Sequence, residues 1–201
     1  MTSLEKLQLE KLHNVIDSCI KVQTSSLSRF LNKPLGYSLE KIIQTEFNKI
    51  EEKILKFASH QVCAVYVACE GDLRIEFLFF LDIDEAEKLA SLLSGKEQQR
   101  LVGMGKSSIV ETGNILAGAF LNTLSSKTGL HIQPSVPGLA IDRFETVLGT
   151  PLADIVRTTD EVIFIESQFS SVKDQVVIQS IIMLDPEGTR KILGKTKGDA
   201  R

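Results

Sequence analysis

The order of secondary-structure elements repeats once along this chain, and the repeat is the feature that most constrains its fold. Each half, approximately 1–95 and 104–195, is predicted to run helix, short strand, helix, strand, strand, helix. Asp82 and Asp185 occupy matching places near the ends of the halves, where each is expected to cap a helix. Joining the strands of two such halves gives a mixed sheet with helices packed on it and a pseudo-twofold axis. The sequence therefore predicts an α+β fold, built as one domain over 1–201.

Apolar spacing and period-two runs assign the individual elements. In chain order we predict a helix over 3–31, a short extended piece before Leu39, a helix over 39–57, strands over 62–69 and 73–81, a helix from Asp82 to Gly95, a helix over 104–126, an extended segment over 130–136, a helix starting near Gly138, strands over 162–169 and 176–184, and a helix after Asp185. The segment from Gly95 to Gly105 is expected to bridge the halves and to be the least ordered internal stretch.

Composition excludes several classes of protein. The formal net charge is −3 and the chain has no Trp, which with the absence of basic runs argues against nucleic acid or an anionic membrane surface as a partner. The apolar runs are too short to cross a bilayer as a helix. The cysteines form no Cys-x-x-Cys pair and no secretory signal opens the chain: Cys19, Cys63 and Cys69. We therefore expect a soluble protein of the reducing cytoplasm.

Two signals of ligand binding fail on inspection. Gly103 to Ser107 ends like a phosphate-binding loop, but that motif needs Gly where Arg100 stands. The scattered histidines cannot assemble a closed metal site from one segment: His13, His60 and His131. We expect no bound nucleotide, no metal and no cofactor of the chain's own.

The helix predicted at 104–126 separates polar from apolar residues onto different faces. Ser107, Glu111, Asn114 and Gly118 stack along one side, so a carboxylate and a carboxamide are presented outward together. Such a pair on a helix is commonly no more than a solvated face. The core stripe lies on another side and consists of Ile109, Leu116, Phe120 and Leu124.

Two glycines interrupt this helix. Gly113 and Gly118 each cost about 1 kcal/mol relative to Ala in a helix interior. Something other than helix stability must therefore require the space that a side chain would fill. Close approach of another body to the helix is one explanation.

The polar residues of this helix fit a longer pattern. Ser107-x3-Glu111-x2-Asn114-x22-Pro137, set in Gly-Asn-Ile-Leu-Ala-Gly-Ala-Phe-Leu and joined by Pro134-Ser-Val before Pro137, resembles the active-site signature of the CheC, CheX and FliY phosphatases. Those are chemotaxis proteins that remove phosphate from the aspartate of the response regulator CheY. The length and the repeated half plan also look like CheC, so the resemblance covers most of the chain.

The resemblance implies a role for each residue of the pattern. An aspartyl phosphate held with Mg²⁺ in the regulator lacks only an oriented water, which a carboxamide can hold; Asn114 would be the catalytic residue. Glu111 would dock the regulator by pairing with a cationic group, most plausibly a lysine. Pro137 would rigidify its loop, and Ser107 is the weakest member of the pattern because it can simply cap the helix or face solvent. Mg²⁺ would belong to the partner.

CheC proteins commonly carry two such sites, one in each half. An offset of 97 residues aligns Leu27 with Leu124 and carries Glu111, Asn114 and Pro137 onto Asn14, Asp17 and Glu40, in that order. The carboxamide and carboxylate are exchanged in order, and an ionised aspartate would repel a phosphoryl group. We expect this first site to be inactive, with an unusual swapped site as the open alternative.

Partners are also implied by the resemblance. CheC proteins bind the receptor deamidase CheD, and the family places that contact near the helix predicted from Gly138, with Asp142 as its polar candidate. The competing explanation for Asp142 is ordinary helix capping, since an early aspartate suits the helix dipole.

These features indicate three candidate functions. The first is a phosphatase of phosphorylated CheY, and the second is a non-catalytic chemotaxis module that sequesters CheD or phosphorylated CheY. The third, a flagellar switch component like FliY, is disfavoured because the sequence ends near Arg201, leaving no room for an additional switch-binding domain. A chain with two halves completes the family's symmetry internally, so we expect a monomer.

Overall fold

The computed structural model describes residues 6–50, 52, 57, 60–95, 101–157, 159–171 and 173–196. The helices in this part of the chain are α1 (Lys6–Leu31), α2 (Ile83–Ser94), α3 (Met104–Thr128), α4 (Phe144–Val156) and α5 (Pro186–Lys195). The strands are β1 (Gly36–Glu46), β2 (Gln61–Gly71), β3 (Ile75–Asp82), β4 (Ile132–Pro134), β5 (Gly138–Arg143), β6 (Glu161–Ser171) and β7 (Val176–Leu184).

The strands form one sheet in the order β1-β6-β7-β3-β2-β4, with β5 also paired to β2. The halves meet at the central pair, where Phe77 of β3 lies opposite Ile182 of β7. They also interlock, because β1 pairs with β6 of the second half while β4 and β5 pair with β2 of the first. The α+β fold with helices packed on a shared sheet is confirmed.

The expectation of a mixed sheet is wrong. Each strand pair between the described residues is antiparallel. For β2–β3 and β6–β7 the physical reason is that they are hairpins joined by short turns, since parallel neighbours would need long crossover connections.

The helix predicted over 39–57 is also wrong for its first part. Residues 36–46 form strand β1, which pairs with β6 so that Tyr37 lies opposite Phe169. The segment holds the β-branched residues Ile42, Ile43 and Thr45, which favour strands, and pairing with β6 decides the outcome. After it, Phe47–Lys49 form a single 3₁₀ turn. Residues 51, 53–56, 58 and 59 lie outside the described part of the chain.

The helix predicted from Gly138 begins six residues later. Gly138–Arg143 form β5, in which Gly138 pairs with Tyr66 and Asp142 with Val62, and α4 starts at Phe144. Pairing satisfies the backbone groups along β2 that an early helix would have left open. The remaining predicted helices and both hairpins agree with the structure within a few residues, and the extended segment over 130–136 contains the shorter β4. Residues 96–100 of the predicted bridge lie outside the described residues.

The sheet separates two apolar cores. Helices α1, α2, α3 and α5 cover one face, where Val65, Phe77 and Ile182 are buried. Helix α4 covers the other, where the ring centroids of Phe80 and Phe144 lie 4.8 Å apart. The cysteines are buried and unpaired. Within the described residues, no helix combines the length and apolarity that crossing a membrane requires.

Helices α1 and α3 lie side by side on the first face and bury matching positions. The Gln23 amide Nε2 donates to the carbonyl oxygen of Leu116 at 2.9 Å across their interface. The offset of 97 residues carries each buried residue of α1 onto a buried residue of α3. The α1 set is Leu12, Val15, Ile16, Cys19, Ile20, Gln23, Thr24 and Leu27. The two helices are therefore equivalent in the pseudo-symmetry, which makes residue-by-residue comparison of their outer faces meaningful.

Candidate functional site

Helix α3 presents the residues of the signature on its outer face. Ser107, Glu111 and Asn114 are exposed, and their spacing places them along one side. Within the described part of the chain, the side chains of Glu111 and Asn114 have no hydrogen-bond or ion-pair partner. The Ser107 hydroxyl donates a long hydrogen bond of 3.4 Å to the Gly103 carbonyl, which is ordinary helix back-bonding. Of these three side chains, the carboxylate and the carboxamide are therefore the two without a partner among the described residues.

The two glycines of α3 have different explanations. A Cβ atom on Gly113 would lie 2.5 Å from Cγ1 of Val65, so this glycine lets the helix sit against strand β2. A Cβ atom on Gly118 would meet no atom of the described residues within 4 Å. The close approach expected from the sequence is internal at Gly113, whereas the fold leaves the space at Gly118 open.

Pro137 lies in the break between β4 and β5, where it is half-buried. Val65, against which Gly113 packs, pairs with Leu139, two residues beyond Pro137. The break between β4 and β5 is therefore close to the part of α3 that carries Asn114. Proline cannot donate to a strand ladder, so it fits where the edge strand is interrupted.

In the first half, the residue equivalent to Asn114 is Asp17, and its carboxylate is already bound by two side chains of the same chain; we call this surface closed. Lys21 Nζ lies 2.8 Å from Asp17 Oδ2, and the Tyr37 hydroxyl donates to Asp17 Oδ1 at 3.0 Å. The hydrogen bond from Lys21 is the main reason that the pKa of Asp17 lies below its ordinary value. Asn14 is exposed on the same helix. Glu40 is the extra residue of a bulge in β1, at the place where the second half has its break.

The same offset explains why the second half is open. It carries Lys21 onto Gly118 and Tyr37 onto Pro134. Both side chains that hold Asp17 are therefore missing around Asn114. The Lys21–Asp17–Tyr37 contact was not predicted from the sequence, because Tyr37 lies on a strand whose register the sequence did not reveal.

Asp142 lies in strand β5 rather than early in a helix. It is exposed, and its Oδ1 accepts a hydrogen bond of 2.7 Å from the backbone N–H of Arg143, the residue before α4. This contact fits the local, turn-forming explanation of Asp142. A role in binding CheD stays a prediction.

A buried polar cluster on the opposite face of the sheet was also missed. The Tyr66 hydroxyl lies 2.7 Å from Glu76 Oε2 and 2.9 Å from Asp154 Oδ2, and Arg74 Nε lies 3.2 Å from Glu76 Oε1. Burial raises the pKa of Glu76 to about 7. The signal in the sequence was a single carboxylate inside the apolar run of β3.

The geometry at Glu111 and Asn114 suits a macromolecular partner. Both side chains project from a convex helix, and a groove of about 600 Å³ at the ends of β2 and β4 is lined by neither of them. Within the described residues, no three His, Cys, Asp or Glu side chains cluster as metal ligands would. A carboxamide that can both accept and donate hydrogen bonds is able to orient a water against a group supplied from outside.

The chain has a relative in sequence among known proteins, although it matches no family model. The chain is 22% identical over 189 residues to the CheY-P phosphatase CheC of Bacillus subtilis (strain 168), covering 92% of this chain and 90% of that protein.

Solved structures with the same fold include a FliY protein and a CheX protein. FliY of Thermotoga maritima superposes with a TM-score of 0.73 at 16% identity, over 96% of this chain and 98% of that one. The CheX–CheY–BeF3–Mg²⁺ complex of Borrelia burgdorferi gives a TM-score of 0.59 at 19% identity, over 84% of this chain and 96% of that one. The chain is therefore a homologue of CheC that shares the fold of the FliY and CheX proteins.

Proposed function

We propose that the chain accelerates hydrolysis of the phosphoaspartate of a CheY-type response regulator, with Asn114 orienting the attacking water and Glu111 docking the regulator. One observation carries the proposal: a homologue of CheC exposes on one face of α3 a carboxylate and a carboxamide that have no partner among the described residues. One solved structure of the same fold is a CheX protein in complex with CheY.

The division of labour follows from what each partner contributes. The phosphorylated regulator contributes the phosphorus electrophile, the aspartate leaving group and Mg²⁺. The Asn114 carboxamide accepts a hydrogen bond from water and donates one to a phosphoryl oxygen, which holds the water in line with the bond to be broken. Water then attacks phosphorus, the bond from phosphorus to the aspartate oxygen breaks, and the water proton leaves to phosphate or solvent.

Glu111 acts at a distance of one helical turn from Asn114. Its carboxylate pairs with a cationic group, which we expect to be a lysine, beside the regulator's phosphoaspartate. Such a pair fixes the register of α3 against the regulator, so its loss weakens binding more than chemistry. The chain needs no cofactor of its own under this proposal.

The deciding experiment measures phosphate release from phosphorylated CheY with Mg²⁺. Wild type should exceed the spontaneous rate, Asn114→Ala should return to it, and Asp17→Ala should behave as wild type. Asp17 is the matched control because it holds the equivalent position in the first half. Equal rates for wild type, Asn114→Ala and no added protein would refute catalysis.

The alternative is a non-catalytic module that sequesters CheD or phosphorylated CheY. It is favoured by the first half, where Lys21 and Tyr37 already contact both carboxylate oxygens of Asp17, the equivalent of Asn114, so this half offers no second free polar pair among the described residues. Binding separates the two proposals: a module should keep its affinity for phosphorylated CheY in the Asn114→Ala variant and show no turnover in wild type. A monomer acting in the cytoplasm stays part of the proposal.

A further inference from the structure

Gly118 is a glycine that the fold itself does not require. It lies in the interior of α3, where glycine disfavours the helix, and within the described part of the chain a Cβ atom there would have no neighbour within 4 Å. Gly113, by contrast, is explained by its contact with Val65. Gly118 lies one turn beyond Asn114 on the face that also carries Glu111.

The equivalent position in the first half shows what a side chain does there. Lys21 takes the place of Gly118, and its Nζ reaches Oδ2 of Asp17, the equivalent of Asn114, at 2.8 Å. A long side chain at this point of the helix therefore covers the polar residue one turn earlier.

The proposed chemistry sets how near the regulator must come. A water bridging the Asn114 carboxamide and a phosphoryl group is about 3 Å from each of them. The carboxamide is on a short side chain, so the loop that carries the phosphoaspartate must lie directly against α3. The open space at Gly118 is the place beside Asn114 where that loop meets no side chain.

We propose that Gly118 is a docking determinant for the regulator: the absence of a side chain lets the phosphoaspartate loop approach close enough for Asn114 to act. The inference rests on the proposed function and adds a residue to it. Lys21 closes the equivalent surface of the first half, so one chain receives one regulator.

Three variants of the full-length protein test the inference by steady-state dephosphorylation of phosphorylated CheY and by thermal unfolding. Gly118→Ala should raise the melting temperature, because alanine favours the helix, and yet raise KM for the regulator roughly tenfold. Gly118→Gln and Gly118→Lys should reduce kcat/KM at least about a hundredfold, and the neutral glutamine separates reach from charge. A purely structural role cannot raise stability and weaken the regulator's binding in one variant.

Gly149→Ala is the matched control. Gly149 is an exposed glycine of α4 whose added Cβ also has no neighbour within 4 Å among the residues that the structure describes, so its replacement should stabilise the protein and leave KM unchanged. Wild-type activity with unchanged KM and kcat in all Gly118 variants would overturn this inference alone. A wild-type protein that does not exceed the spontaneous rate would overturn the proposed function, and this inference with it.

Discussion

Helices α1 and α3 hold equivalent places in the two halves, but they treat their outer polar residues differently. On α1, Asp17 is held by Lys21 and Tyr37; on α3, Asn114 is exposed without a partner among the described residues. The buried faces of the two helices match position by position. The core therefore constrains the inner positions of both helices, whereas the outer positions have diverged to give one closed and one open surface.

The closed arrangement on α1 contributes little to stability. Lys21 is 62% exposed, and partly exposed ion pairs within a helix contribute less than about 1 kcal/mol. The effect of this arrangement is that both carboxylate oxygens of Asp17 are already bound, one by Lys21 and the other by Tyr37, and are not free to contact another molecule. The difference between the halves thus concerns which groups remain available to a partner.

The largest expected effect comes from replacing Asn114 by aspartate, the residue that α1 has at the equivalent position. Asn114→Asp replaces the amide nitrogen by a carboxylate oxygen, which removes the donor to the phosphoryl group and adds a repelling charge. Loss of one oriented donor of this kind costs about a hundredfold or more in rate. Phosphate release from phosphorylated CheY measures it, with the exposed Asn122→Asp on the same helix as control. Activity near wild type in Asn114→Asp would refute the role of Asn114.

The next prediction is that alanine substitutions at the two glycines of α3 change the free energy of unfolding in opposite directions. Gly113→Ala places a Cβ atom 2.5 Å from Val65 Cγ1 and should lower the free energy of unfolding by about 1–3 kcal/mol. Gly118→Ala, in open space, should raise it by up to about 1 kcal/mol. Urea unfolding at neutral pH measures both. A neutral Gly113→Ala would mean that Val65 moves aside and that the helix does not need to lie so close to β2.

A third test compares the halves on the other face of the sheet. The offset that carries Asp82 onto Asp185 carries the buried Glu76 onto Gln179. The pKa of Glu76 is raised from 4.5 to about 7, chiefly by burial, while Tyr66, Arg74 and Asp154 contact its carboxyl group or share its cluster. The folded protein therefore binds the proton more tightly than the unfolded chain.

The sign of the pH dependence follows. Glu76 contributes its stability fully below about pH 4.5, and that contribution is lost as the pH rises through about 7. Glu76→Gln, which copies the second half, should remove this component from the dependence of unfolding free energy on pH. Urea unfolding at several pH values between these limits checks it, and an unchanged slope in the variant would contradict the assignment to Glu76.

The smallest effect concerns the closed surface of α1. Because the pKa of Asp17 is lowered in the folded state, its stabilising contribution is present above its ordinary value of 3.8 and is lost as the pH falls below it. Lys21→Met should lower the unfolding free energy at neutral pH by a few tenths, up to about 1 kcal/mol, and weaken this acid dependence. Unfolding at pH 7 and in acid measures it. Phosphatase activity should not change, since Asn14 and Asp17 remain in exchanged order.

The parts of the fold that sequence could predict are those with strong internal patterns. Helices α1 and α3 and the hairpins β2–β3 and β6–β7 have long periodic runs. Residues 39–46 of β1 and the whole of β5 are predicted as helical from the sequence, and the contacts that make them strands, with β6 and β2, come from distant residues. For the site, spacing along α3 was enough to predict the exposure of Glu111 and Asn114. It could not predict the Tyr37 contact with Asp17, which depends on the position of β1.

The interlocked strands also have a consequence for how the chain reaches its native state. Gly36 pairs with Ser170 and Tyr66 with Gly138, so each half completes the sheet of the other only after long loops close. Loop closure of this kind costs entropy before any contact compensates it, which slows folding. An N-terminal half emerging from the ribosome has β1 without its partner strand and β2 with an open edge. The two halves should therefore acquire their native sheet together, in one late and cooperative event.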